Sequence, residues 1–146
     1  MSKSKTVAIK IVLVLAGLYI VLSGMNIGFG GIETLGWGGQ SNFVQVTDMK
    51  SYLIQDSHVR FVGGVWLGVG LLFILSVSDL KKYKNILYFC MALVFIGGLM
   101  RIAQMHFEVA FGPNIIGPVL AELIGMPLLY IWFSKTMKKL DSKPEQ

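Results

Sequence analysis

Arg101 and Glu122 stand inside long apolar runs, and Arg60 stands near the outer end of another. At the centre of a membrane helix a charged side chain costs roughly 2.5–3.5 kcal/mol, so it faces the protein interior or a polar cavity and finds a partner there. Two guanidinium groups set against one glutamate leave one positive charge unmatched, before Asp56 and Glu108 nearby are counted. A surplus of that kind attracts a phosphate or carboxylate, because a guanidinium binds either through two parallel hydrogen bonds. The candidate binding set is Arg60, Arg101 and Glu122, with Gln104 and His58 at the same level. The same ions also read as a plain structural contact that fixes helix register, and the residues leave both readings open.

Other chemistries find less support. No Ser-His-Asp arrangement, phosphate-cradling loop or nucleophile elbow occurs, so no catalytic residue is named and the reading leans away from an enzyme. His58 and His106 lie near Asp56 and Glu108, but their spacings match no metal motif, and no metal is assigned. Met91, Met100, Met105 and Met126 read as core filler, although flexible methionine walls also suit a lipid tail or a quinone.

The elements that hold these residues are membrane helices. Of 146 residues, 54% are hydrophobic and only 14% charged, which bounds the chain to one integral membrane domain over 1–146. The net charge of +5 sits in short clusters beside apolar runs, a topology signal that excludes a nucleic-acid surface. Cys90 has no cysteine to pair with and reads as a small core residue. Lys3, Lys5 and Lys10 before an apolar run resemble a secretory leader, yet no A-x-A-like cleavage site follows, so the run is read as a retained helix.

Four spans are expected, over about 6–24, 58–78, 86–107 and 118–135, with one extracytoplasmic lid loop over 26–56. Asn26 ends the first run, and Gly28, Gly30 and Gly31 break it. Thr47 is placed as the cap of a helix from Asp48 that either lies on the bilayer or runs into the second span. Gly64 and Gly68 form a small-xxx-small packing pair in that span. Asn85 reads as the cap of the third, whose polar stripe is Gly97, Arg101, Gln104 and Glu108. Pro118 opens the fourth, on the stripe Pro118, Glu122, Gly125 and Leu129, and Pro127 should kink it and free the carbonyl near Leu123.

At 1.5 Å per residue, Arg101 lies about 24 Å beyond Asn85, Glu122 about 20 Å from Lys135, and Arg60 about 28 Å from Asp79. All three fall in the same outer third of a core about 30 Å thick. Ten of the thirteen Lys and Arg residues cluster at the two termini and in the turn around Lys81, Lys82 and Lys84, which places both termini in the cytoplasm.

His58-x-Arg60 with Gly63-Gly64, then Gly97-Gly98-x-x-Arg101, Gly112-Pro113 and Glu122, resembles a domain-of-unknown-function family of small bacterial four-helix inner-membrane proteins over about residues 10–134. A looser similarity exists to the DoxX-like four-helix proteins, some of which are associated with quinone-linked oxidation. The resemblance implies a fold and a matching Arg/Arg/Glu set but brings no activity. Where a small polar residue is expected shortly after the third-span arginine, this chain has Gln104.

The expectation is thus an all-α four-helix membrane bundle, N-in and C-in, multi-pass in a bacterial inner membrane. Its first functional reading is a binding or accessory protein that holds an anionic lipid headgroup or an acidic partner. The alternatives are a subunit or enzyme of quinone- or lipid-linked chemistry, and a small proton-coupled exporter, which places its glutamate in the first helix rather than the fourth. Cofactors stay unassigned; the bilayer, a homo-oligomer or a partner membrane subunit are the expected partners.

Overall fold

A computed structural model describes residues 3–34, 46–103, 105–113 and 115–142, and among these every regular element is helical. Helix α1 spans Lys3–Gly30 and continues as a 3-10 turn over Gly31–Thr34. Helix α2 spans Met49–Ser76, α3 Lys84–Ile102, α4 Phe107–Ala110, α5 Ile116–Leu120 and α6 Met126–Asp141, with a π-turn at Ala121–Gly125 joining the last two. Thr6–Thr34, Met49–Ser76, Lys84–Ile102 and Ile116–Asp141 are each long and apolar enough to cross a membrane. The chain is a multi-pass, all-α membrane protein, its backbone polar groups satisfied inside each helix because lipid offers no partners.

The chain divides into two compact units, Ile11–Leu75 and the remainder. Within the first, α1 and α2 pack backbone to backbone through glycines seven residues apart on each helix. A Cβ on Gly17 would lie 3.0 Å from the Gly70 oxygen, one on Gly70 2.6 Å from the Val21 nitrogen, and one on Gly24 2.7 Å from the Leu67 Cα. Gly63 meets Ile27 and Gly28 in the same way. Glycine here lets two helices touch where lipid supplies no hydrophobic drive. This corrects two expectations. Gly28 does not break the first span, which runs on to Gly30 and ends where Gly31 adopts φ +68°. Nor do Gly64 and Gly68 form the packing pair, since a Cβ on either would meet nothing within 4 Å among the described residues.

The second span begins nine residues earlier than expected and absorbs the interfacial helix. Its cap is Asp48 rather than Thr47: the Lys50 amide donates to Asp48 Oδ1 at 3.0 Å and the Ser51 hydroxyl to Oδ2. The Ser51 hydroxyl, then the amides of Ser51 and Lys50, hold the Asp48 carboxyl below its ordinary value of 3.8. A value depressed in the folded state means that the cap contributes above 3.8 and fades as pH falls through the lowered value. Amide exchange at Lys50 and Ser51 is therefore expected to quicken in acid while the middle of α2 stays protected. Of the expected lid, residues 35–45, including Trp37 and Phe43, lie outside the described residues.

In the second unit α3 buries Leu87, Cys90, Met91, Val94 and Gly98 on one stripe. Helix α6 buries Leu129, Phe133, Thr136 and Met137. Tyr88 stacks obliquely on Tyr130 at 4.9 Å and edge-on to Phe133 at 5.2 Å, and Lys84 pairs with Asp141 at 3.1 Å where α3 starts and α6 ends. Asn85 is not the cap of α3, which starts at Lys84; Asp79 instead accepts the Lys81 and Lys82 amides at 3.0 Å in the preceding turn. The span also stops at Ile102 rather than near Phe107, and Met105 turns the chain with φ +62°. Met91 is core as expected, whereas Met100 and Met105 are exposed.

Candidate functional site

Each arginine has its own carboxylate. In the first unit Arg60 Nε donates to Asp56 Oδ2 at 2.6 Å, one helical turn back on α2. Its Nη1 donates to the carbonyl of Phe29, with Gly28 O at 3.5 Å. The other Asp56 oxygen accepts the Ile32 amide at 2.8 Å, and Tyr52 donates to Glu33 at 3.2 Å. The last carbonyls of a helix have no intrahelical donor and carry the negative end of its dipole. Arg60 supplies both a donor and a positive charge to the end of α1, while Asp56 holds the turn that follows. The cluster is a clamp between α1 and α2.

In the second unit Arg101, in the last turn of α3, meets Glu122 side-on. Nε donates to Oε2 at 2.7 Å and Nη2 to Oε1 at 3.0 Å, the two-bond geometry that a planar guanidinium makes with a carboxylate. The glutamate side chain is 8% exposed and the arginine 44%, so one ion is buried and the other reaches the surface. Gly98 makes the approach possible, since a Cβ there would lie 2.8 Å from Glu122 Cβ.

The π-turn that carries Glu122 answers to Pro127. Proline has no N–H for the carbonyl of Leu123 four residues back, nor for that of Glu122 five back. The chain widens just before it, and the Met126 amide bonds Ala121 O instead. Such a turn inserts one residue into the helix and often marks a functional position. The sequence predicts a kink at Pro127; what the chain shows is a π-turn over Ala121–Gly125 just before it.

Among the described residues, the remaining candidates take no part in these two ion pairs. On α3, Arg101 meets Glu122 as the expected stripe has it, but Gly98 takes the place of Gly97, where a Cβ would meet nothing within 4 Å among the described residues. Gln104 lies outside the described residues. Glu108 is exposed and pairs with His106 at 3.1 Å beyond the end of α3. His58 is exposed on α2, beside Lys50, Leu53, Ile54 and Ser57. A Cβ on Gly125 would have, among the described residues, only the Leu120 carbonyl nearby, at 3.8 Å. The surplus positive charge expected from two arginines sharing Glu122 gives way to two matched pairs. Asp56, placed at the rim by the sequence reading, is the missed member; its i, i+4 spacing from Arg60 was the available signal.

No curated protein and no solved structure matches the chain. A family model described as Domain of unknown function (DUF4345) matches residues 8–133, which carry both arginine–carboxylate pairs and nearly all of the four apolar spans. By that match the chain belongs to the DUF4345 family.

Proposed function

We propose that this protein is a non-enzymatic binding or accessory protein of a bacterial inner membrane, in which Arg101 receives the phosphate or carboxylate of an anionic lipid headgroup. One observation carries the reading. Glu122 engages Nε and Nη2 of Arg101, while Nη1 has no partner among the described residues and the side chain is 44% exposed. A buried carboxylate thereby holds the guanidinium in one plane and leaves its far edge for a second anion. Arg101 lies seventeen residues past Lys84, roughly 26 Å along α3. With the lysine-rich helix ends in the cytoplasm, that length brings the guanidinium near the opposite headgroups of a core about 30 Å thick. Arg60, occupied by Asp56 and the end of α1, has a structural role in this reading.

The test is the doubly neutral variant Arg101→Gln/Glu122→Gln, which removes both ions together and leaves no buried charge unpaired. Native mass spectrometry from mild detergent is expected to show one fewer co-purified anionic lipid than in the parent protein. An unchanged complement in a folded double variant overturns the reading.

A further inference from the structure

We infer that the opposite end of the second unit carries a separate site for an anionic phospholipid, built from Trp132, Lys135 and Lys139 on α6. These residues stand three and four apart, on one stripe of the helix. All three are exposed, Trp132 at 38%, while the stripe made by Phe133, Thr136 and Met137 is buried. The site therefore faces away from the protein core.

Charge at this end is unbalanced. Lys81, Lys82, Lys138 and Lys139 are exposed, and so is Lys135. Among the described residues the two acids at this end are engaged: Asp79 accepts the amides of Lys81 and Lys82, and Asp141 is paired with Lys84. Neither Lys135 nor Lys139 has an ion-pair partner among the described residues. Two ammonium groups one turn apart suit a single phosphate, each as a point charge.

The occupant follows from where the stripe lies. It starts in a segment long and apolar enough to cross a membrane and runs into that segment's basic last turns. Tryptophan favours the headgroup boundary, with its ring against acyl chains and its N–H toward water, and lysine stems lie along apolar surface with the ammonium raised to the phosphates. A lipid in the leaflet at this end reaches all three residues without leaving the bilayer, whereas a soluble acidic partner reaches only the lysines. The site is separate from Arg101, whose partner Glu122 lies thirteen residues before Lys135, about 20 Å along the helix.

The experiment uses the full chain in nanodiscs of phosphatidylcholine, titrated with phosphatidylglycerol. Neutralising Lys135→Gln and Lys139→Gln is expected to weaken phosphatidylglycerol binding about fivefold per lysine. The paired Lys→Arg variant should restore it, and Trp132→Ala should weaken it further. The same lysine effect should persist in the Arg101→Gln/Glu122→Gln background, which separates this site from the other. Binding unchanged in the double lysine variant, an equal loss toward phosphatidylcholine, or tighter binding of polyglutamate than of phosphatidylglycerol would overturn the assignment.

Discussion

Arg101→Ala is expected to destabilise the protein by about 3 kcal/mol, far more than Glu122→Gln at the other end of the same ion pair. The two partners differ in burial: the glutamate side chain is 8% exposed and the arginine 44%. Removing the arginine strands a carboxylate in the interior, and breaking a buried pair from one side costs about 3–5 kcal/mol. The lower end applies because the lost partner was itself partly solvated. Neutralising the glutamate instead leaves a guanidinium that water or headgroups can reach, together with an amide that still accepts one hydrogen bond. Denaturant titration in detergent, comparing both single variants with the Gln/Gln double variant, checks the asymmetry. If the two single losses are equal, Glu122 is as well solvated as its partner and the buried-carboxylate description fails. The double variant should recover most of the Arg101→Ala loss, since no charge remains to be stranded.

A second expected result concerns neighbouring glycines. Gly63→Ala should destabilise the first unit by about 1–3 kcal/mol, because a new methyl would have to force backbone apart. Its Cβ would lie 2.6 Å from Gly28 Cα and 2.8 Å from the Ile27 carbonyl carbon, atoms that no rotamer change can move aside. Gly64→Ala should do the reverse. Among the described residues no side chain or other helix comes within 4 Å of a Cβ there, and alanine in a helix interior is favoured over glycine by about 0.5–1 kcal/mol. Thermal unfolding of the two variants side by side reads opposite signs from adjacent positions. Two shifts of the same sign would mean that α1 and α2 do not meet through Gly63.

Four spans are legible in the sequence because lipid demands long apolar runs whatever the helices later touch, and the runs around Leu13, Val69, Val94 and Leu129 satisfy that demand by composition alone. The Arg101–Glu122 contact is legible for a related reason. Ions at such depth must find each other, and counting residues from the basic ends puts the two within the reach of an arginine side chain. Only the tertiary structure decides the rest. Gly63 and Gly64 carry no side chain to declare a face, so their roles depend on how α1 lies against α2. Arg60 looks as free as Arg101 in sequence; it is taken by Asp56 and by the orphan carbonyls of α1, which exist at Gly28 and Phe29 only because that helix runs on to Gly30. The widened turn at Glu122 likewise depends on how a helix absorbs a missing N–H, a choice that Pro127 poses and that only the folded backbone shows. Apolar length is a property of the chain, whereas a hydrogen-bond partner is a property of where two helices end beside each other.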